Sequence, residues 1–194
     1  TFDGAVFEAR EINAWRGDRH ILRDVSFSVR PGEFLKVTGP NGVGKTTLLR
    51  VICGLLPAET GELWWRGQSV RGRRDEFNFE LGHLGHLNSL KGDLTARENL
   101  KFLAGLRTTL TAQTIDATLD RVGILSRGDL PARSLSAGQK RRLALARLLL
   151  ADAALWILDE PVTNLDTAGI RLVEELIVDH VERGGLAIAA AHQR

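Results

Sequence analysis

The sequence predicts an α/β fold built on a parallel sheet, and three observations support that prediction. Strand-like apolar runs alternate with helical patterns along much of the chain. One strand leads directly into a glycine-rich loop and then a helix, over residues 34–53. A helical stretch from about Thr95 to Leu150 interrupts the alternation as an insert. Because strands that alternate with helices usually pair in parallel, we expect one domain with two lobes.

The N-terminal part of the chain predicts strands outside that alternation. Residues 5–15 and 21–29 alternate between apolar and polar side chains, which is typical of half-buried strands. Residues 61–70 predict a hairpin that turns at Arg66-Gly67 and sends its two adjacent tryptophans to opposite sides, as packing residues.

The rest of the chain is predicted to be mainly helical, with two buried strands. Thr95 and Glu98 have the spacing of a capping box at the start of the first inserted helix. The further predicted helices cover 46–53, 114–122, 137–150 and 168–183, and the two strands cover 154–158 and 186–191.

Composition is that of an ordinary globular protein. The 194 residues are 43% hydrophobic and 26% charged, and the net charge of +2 does not argue for a nucleic-acid partner. No uninterrupted apolar run approaches the ~20 residues of a membrane-spanning helix. The single cysteine, Cys53, excludes an internal disulfide and suits a reducing compartment. The basic run 71–74 is interpreted as a solvated turn.

One stretch fits the phosphate-loop pattern G-x-x-x-x-G-K-[S/T] at every required position. Its residues are Gly39, Pro40, Asn41, Gly42, Val43, Gly44, Lys45, Thr46 and Thr47. In such a loop the backbone N–H groups cradle phosphates, the lysine reaches the β- and γ-phosphates, and the hydroxyl after it ligates Mg²⁺. A chance match in a glycine-rich turn is disfavoured, because strand, loop and helix are all in place. The loop predicts that a nucleoside triphosphate binds here.

A second candidate site follows the apolar run 155–158. Asp159 ends this predicted strand, where a buried carboxylate beside the phosphate loop would ligate Mg²⁺. Glu160 comes next and is placed to polarise an attacking water. An apolar run that ends in two acids is also compatible with a solvated strand end, but its pairing with a phosphate loop favours the metal site.

A third candidate lies at the start of the 137–150 helix. Ser136 is a plausible N-cap, and Ser-Ala-Gly-Gln leaves several N–H groups of the helix terminus exposed. Two interpretations stay open on the residues alone. The segment is either a helix cap with no further role or a second anion-binding face directed at a γ-phosphate.

Residues 135–139, Leu-Ser-Ala-Gly-Gln, resemble the signature motif of the ATP-binding-cassette ATPases. The motif order also resembles that family: phosphate loop, signature, 158–161, 164–166 and then His192. The resemblance implies a P-loop NTPase fold, with a RecA-like parallel sheet core, an N-terminal antiparallel β subdomain and a helical subdomain. The core and antiparallel lobe would cover about 1–85 and 151–194, and the helical lobe about 86–150. It further implies an ATP hydrolase that uses ATP and Mg²⁺.

The same resemblance implies roles for individual residues. It implies a head-to-tail homodimer in which Ser136 and Gly138 of one copy contact ATP held by the other. Glu160 would act as general base, His192 would sense the γ-phosphate, and Asp166 would couple the two ATP sites.

The resemblance also implies an aromatic residue that stacks on adenine, and Trp15 is the candidate, because aromatic residues are few near the N-terminus. The alternative is that Trp15 is a core residue at the end of a strand.

The chain departs from the family pattern at one position. The family has a glutamine on the loop that enters the helical lobe, and here that position holds Leu87, which can neither ligate a metal nor form a hydrogen bond. We expect His86, Asn88 or a water to substitute. A regulatory module that has lost turnover is an alternative, against which Glu160 and His192 argue.

Residues 84–100, 154–161 and 192–193 resemble the cytochrome c maturation ATPase, the ATP-binding subunit of a haem-exporting transporter. This resemblance implies an integral membrane permease as partner. We expect the permease to contact residues of about 77–106. The resemblance also implies a peripheral location at the cytoplasmic face of the inner membrane. No nucleic-acid partner is expected.

Two other functions stay open: the ATPase subunit of a different exporter of this family, or a soluble clamp of the same family that acts on nucleic acid or ribosomes. A single phosphate loop and the lack of sustained heptads count against the clamp.

Overall fold

The structure is a computed structural model that describes residues 6–104 and 110–191. It separates into two compact units. The first contains the described residues up to 83, together with 154–161 and those from 176 onward. The second contains the described residues of 84–153 and residues 162–175, whereas the predicted helical lobe spans about 86–150.

The described helices and strands follow one another along the chain in this order. They are β1 Phe7–Arg16, β2 Arg19–Val29, β3 Phe34–Val37, α1 Lys45–Ile52, β4 Thr60–Trp65, β5 Gln68–Ser69, α2 Arg74–Phe79, β6 Leu81–Leu84, α3 Ala96–Ala104, α4 Ala112–Arg121, α5 Ala137–Leu150, β7 Leu155–Asp159, α6 Thr167–Glu182 and β8 Leu186–Ala190. Among these helices, none is both long and apolar enough to cross a bilayer.

An antiparallel sheet contains the N-terminal strands in the order β2-β1-β4-β5. The β4–β5 hairpin turns at Arg66 and Gly67, as predicted, and both residues have positive φ, 51° and 74°. This combination is the type I′ turn that matches the twist of paired strands. The two tryptophans fall on opposite sides: Trp65 is buried, and Trp64 lies under the guanidinium of Arg10.

The second sheet has the order β3-β8-β7-β6. β8 pairs in parallel with both β3 and β7, so Ile188 stands opposite Leu35 on one side and Ile157 on the other. Every residue of β7 and β8 is buried. Strands that are buried on both faces have continuous apolar sequences. The sequence pattern therefore predicted both β7 and β8. The predicted α/β class with an antiparallel N-terminal subdomain is confirmed.

The first unit has an aromatic core that depends on a helix absent from the sequence prediction. Phe77 of α2 stacks on Phe7 with ring centroids 6.0 Å apart and meets Trp65 edge-on at 5.7 Å. Because Phe77 is only 2% exposed, the expected permease contact over 77–106 cannot include it.

The interpretation of residues 71–74 as a solvated turn is wrong for its last member. Arg74 begins α2 and donates hydrogen bonds to the carbonyl oxygens of Ile52 (2.8 Å) and Val51 (3.2 Å). Those carbonyls belong to the last turn of α1, where helix carbonyls lack partners within the helix. Arg74 therefore caps the helix that follows the phosphate loop.

The second unit is built mainly from helices. The predicted capping box is present, because Thr95 N–H donates to Glu98 Oε2 (2.8 Å) and Glu98 N–H donates to Thr95 Oγ1 (3.1 Å). Leu100 of α3, Leu119 of α4 and Leu143 of α5 are each fully buried. Each of the three helices therefore buries an apolar side chain within this unit.

We predict that Phe77→Ala lowers the free energy of unfolding by about 3–5 kcal/mol, because it removes a buried ring and leaves a cavity. Phe79→Ala is the matched control, two residues further along the same helix and 60% exposed. Urea unfolding of both variants measures the difference. Equal destabilisation by the two substitutions would contradict the aromatic core.

Candidate functional site

The phosphate loop connects β3 to α1 in the first unit. Gly39, Gly42 and Gly44 have φ of 148°, 77° and 113°, which non-glycine residues rarely adopt. At Gly44 a Cβ atom would also lie 2.8 Å from Ile21 Cγ2, so only glycine fits. The first N–H groups of α1 have no carbonyl partner within the helix. The loop therefore offers N–H donors at a helix N-terminus, which is an anion-binding arrangement.

Lys45, the first residue of α1, folds back over the loop. Its side chain is 8% exposed, and Nζ donates to the carbonyl oxygens of Gly39 (2.6 Å) and Pro40 (3.1 Å). A phosphate bound in the loop would take the place of such a carbonyl as acceptor. The Lys45 ammonium group therefore already lies at the loop whose bound phosphates it is predicted to contact.

The two predicted magnesium ligands meet although they are far apart in sequence. Thr46 Oγ1 donates to Asp159 Oδ1 across 3.2 Å, and Asp159 is 4% exposed at the end of β7. Mg²⁺ takes hard oxygen ligands and keeps several waters, so it commonly uses one or two protein oxygens beside substrate phosphates. A hydroxyl and a carboxylate fit that preference. The described residues form no group of three or more His, Cys, Asp and Glu side chains that would suit a metal held by protein alone.

Glu160 leaves the strand direction in a left-handed conformation, with φ of 49°. Its N–H still donates to Ala190 O (3.0 Å), so the backbone stays attached to the sheet while it turns. Asp159 is buried, whereas Glu160 lines a cleft of about 780 Å³ together with Lys45, Thr46 and Thr47. The structure therefore brings the predicted base and the phosphate loop to one cleft. Left-handed backbone costs a non-glycine residue about 1–2 kcal/mol, and such strain is typical of functional positions.

Trp15 is exposed at 46%, so the interpretation of this residue as part of the core is wrong. Its indole stacks on the ring of His20, with centroids 4.3 Å apart and planes 1° from parallel. Trp15 lines a separate concavity with Arg16, Arg19 and Arg23 rather than the phosphate-loop cleft. One face of the indole is therefore covered by His20, and a base would stack on the other.

His20 was missed by the sequence analysis, and it is fixed by hydrogen bonds. Its Nε2 lies 2.9 Å from Asn13 Oδ1, which also accepts from the N–H of Asp24. Because Asn13 Nδ2 donates to the Asp24 carboxylate, Oδ1 faces His20 and the proton lies on His20 Nε2. The available signal was the two-residue turn at Gly17 and Asp18, which pairs Trp15 with His20.

Ser136 caps α5 in the second unit, as predicted. Gln139 N–H donates to Ser136 Oγ (3.2 Å), and Ser136 N–H donates to Gln139 Oε1 (2.9 Å), which completes a capping box. A serine hydroxyl that accepts one hydrogen bond can still donate its own proton. The cap and a phosphate contact are therefore compatible. A Cβ atom at Gly138 would lie 3.0 Å from Asn164 O, so a larger residue would displace the segment before Asp166.

Asp166 holds a helix terminus. Its Oδ1 accepts from Gly169 N–H (2.7 Å) and from Arg142 Nη2 (3.2 Å). The Gly169 N–H, and then Arg142, hold the pKa of the Asp166 carboxyl below its usual range. Arg142 belongs to α5, so the carboxylate connects the helix that Ser136 caps with the start of α6.

Arg141 of α5 holds the loop that contains Leu87 at the position predicted for the family's glutamine. Leu87 is 77% exposed. Arg141, which is 2% exposed, donates from Nη1 to Gly85 O (2.7 Å) and Asn88 Oδ1 (3.1 Å). Asn88, one candidate substitute for the glutamine, is therefore engaged by a buried arginine. His86 is exposed. His192, the predicted γ-phosphate sensor, lies outside the described residues.

A family model described as "ABC transporter" matches residues 22–163. The chain belongs to the ABC transporter ATPases, and it is an ATP-binding and ATP-hydrolysing protein. A solved structure from Pyrococcus furiosus, a putative ABC transporter (ATP-binding protein), is 25% identical with a TM-score of 0.85. That match covers 97% of this chain and 92% of the other.

Two curated relatives are similar to this chain over nearly its whole length. "Cytochrome c biogenesis ATP-binding export protein CcmA 2" of Cupriavidus metallidurans is 46% identical, over 98% of this chain and 90% of the relative. "Cytochrome c biogenesis ATP-binding export protein CcmA" of Aliivibrio fischeri is 42% identical, over 97% of this chain and 92% of the relative. The resemblance that the motifs indicated is confirmed, both to the family and to this group within it.

Cys53, at the end of α1, is predicted to be unreactive in the folded protein. Burial raises the pKa of its thiol to about 12; the Arg74 guanidinium opposes this rise and Asp159 adds to it. Since the thiolate is the reactive form, labelling by a disulfide reagent at about pH 8 should be at least tenfold slower than in urea. The rate should rise with pH well above 9. Equally fast labelling of the folded and unfolded chain would contradict this prediction.

Proposed function

We propose that this ATPase is the energy-converting subunit of a membrane transporter that serves cytochrome c biogenesis, in haem export or delivery. Identity of 42% and 46% with two cytochrome c biogenesis export proteins, across nearly the whole of each chain, carries the proposal. The partner is an integral membrane permease, and the chain is bound peripherally at the cytoplasmic face of the inner membrane.

Hydrolysis follows from the groups at the cleft. The loop N–H groups and Lys45 hold the phosphates of ATP. Thr46 and Asp159 would hold Mg²⁺, which would neutralise charge on the phosphates. Glu160 accepts a proton from water as the water oxygen bonds to the γ-phosphorus. The bond from that phosphorus to the β–γ bridging oxygen breaks, which yields ADP and phosphate. Two observations support these roles. Thr46 donates a hydrogen bond to Asp159, and Glu160 lines the same cleft as the phosphate loop.

Transport requires that hydrolysis change the shape of an assembly, and a head-to-tail homodimer supplies that change. Ser136 and Gly138 of one copy contact ATP bound to the other, and Asp166 couples the two sites. ATP stabilises the closed dimer because two subunits then share one γ-phosphate, and hydrolysis removes that bridge. The Ser136 hydroxyl can serve this contact because its cap uses only an acceptor position.

Two further contacts belong to the proposal. The free face of Trp15 stacks on the adenine, supported by the exposure of its indole and by His20 behind it. His192 senses the γ-phosphate from the segment that follows β8.

We predict that Glu160→Gln lowers the rate of ATP hydrolysis by about 10²–10⁴-fold and leaves ATP affinity within about twofold, because the amide cannot accept the proton. Single-turnover hydrolysis and equilibrium nucleotide binding measure the two effects. Lys45→Ala is the contrasting variant, in which binding itself should weaken. Undiminished turnover by Glu160→Gln would remove Glu160 as the base.

The same substitution tests the biological role. Placed at the chromosomal copy of the gene, Glu160→Gln should abolish c-type cytochromes, detected by covalent haem staining, while b-type cytochromes stay unchanged. Normal c-type cytochromes in cells that carry the inactive ATPase would overturn the role in cytochrome c biogenesis but leave the ATPase assignment intact.

The two interpretations of Ser136 are separated by Ser136→Asp. Aspartate caps a helix as well as serine does, so the free energy of unfolding should change by less than about 0.5 kcal/mol. A carboxylate facing a γ-phosphate would repel it, so ATP-dependent dimerisation and hydrolysis should fall at least about tenfold. Sedimentation and turnover assays measure both. Full activity in Ser136→Asp would show that the residue is only a cap.

A further inference from the structure

Two arginines face each other at the end of the β1–β2 hairpin. Arg16 ends β1 and Arg19 begins β2, and they are directly opposite partners across the two-residue turn. Like charges directly opposite in an antiparallel pair repel each other and destabilise the hairpin. A bound anion between the two guanidinium groups would relieve that repulsion.

Both arginines line the phosphate-loop cleft, with Lys45, Thr46 and Glu160. Among the described residues, the side chains that line this cleft include four cations, the other two being Lys45 and Arg50, and one carboxylate, that of Glu160. Such a cleft concentrates a field that favours polyanions.

Neither arginine forms an ion pair within the part of the chain that the structure describes. Within residues 6–104 and 110–191, the ion pairs of the structure engage other arginines and leave out both Arg16 and Arg19. Asp18, in the turn between them, likewise forms no ion pair in this part of the chain. The pair therefore keeps its donors for a ligand.

We propose that Arg16 and Arg19 form a phosphate clamp, which binds the polyphosphate of ATP from the hairpin. The proposal rests on the proposed function in one respect, namely that the phosphate loop holds ATP. A guanidinium offers five N–H donors in a fixed plane and no acceptor, which suits phosphate oxygens. Because the two arginines also line the concavity at Trp15, they lie between the stacking surface and the phosphate loop.

The test uses Arg16→Gln, Arg19→Gln and the double variant, with Arg30→Gln as the control. Arg30 is an exposed arginine directly after β2, and it lines neither the phosphate-loop cleft nor the concavity at Trp15. Dissociation constants are measured for ATP, ADP and AMP at low and high salt. Lys45→Ala is measured in parallel, and the unfolding midpoint of each variant reports on folding.

Each single variant should weaken ATP binding by about three- to fivefold, and the double variant by about tenfold. The loss should shrink from ATP to AMP and diminish in high salt. Arg30→Gln should stay within twofold of the wild type.

Two results would overturn the clamp. The first is an ATP affinity of the double variant within twofold of the wild type. The second is an equal loss of affinity for AMP and ATP, which would place the arginines at the adenine or ribose instead of the β- and γ-phosphates. If Lys45→Ala binds ATP normally, the phosphate-loop assignment fails instead. Weakened binding in Lys45→Ala with unchanged binding in the arginine variants rejects the clamp alone.

Discussion

The hydrogen bond between the Thr46 hydroxyl and the Asp159 carboxylate is the contact on which the candidate site depends. It joins two residues that are 113 positions apart in the sequence, one at the start of α1 and one at the end of β7. Complete burial of β7 and β8 fixes where Asp159 emerges from the sheet. The left-handed turn of the next residue then brings Glu160 to the cleft that the phosphate loop lines. The positions of the proposed metal ligands and of the proposed base thus follow from the packing of the parallel sheet.

In the second unit, the residues that we propose for the ATP sites of the dimer also accept hydrogen bonds at helix ends. Ser136 caps α5, and Asp166 accepts from an N–H in the first turn of α6. Arg142 connects the two, since it lies on α5 and donates to Asp166. Substitution by alanine at either cap would therefore mix a loss of helix stability with a loss of ligand contact. A replacement that preserves the cap, such as aspartate for Ser136, separates the two effects.

Sequence reasoning recovered the features that local pattern determines. The phosphate-loop sequence, the hairpin turn at Arg66-Gly67 and the caps at Thr95 and Ser136 all depend on residues close together in the chain. It missed α2 and β6, because six and four residues are too few to show a period. It also missed His20 behind Trp15, because the predicted strands end at residue 15 and begin again at residue 21, so the two-residue turn at Gly17 and Asp18 was not recognised. The pairing of Arg16 with Arg19 escaped the sequence analysis for the same reason.

The positive φ of Glu160 has a consequence for how this protein would respond to selection. Glycine would relax that backbone and so stabilise the fold, yet it would remove the carboxylate from the cleft. A library of variants selected only for resistance to heat should therefore drift toward glycine at this position. A library selected for growth that depends on ATP hydrolysis should retain glutamate. The difference in thermal stability between the variants from the two libraries would measure the stability lost by keeping glutamate at this position.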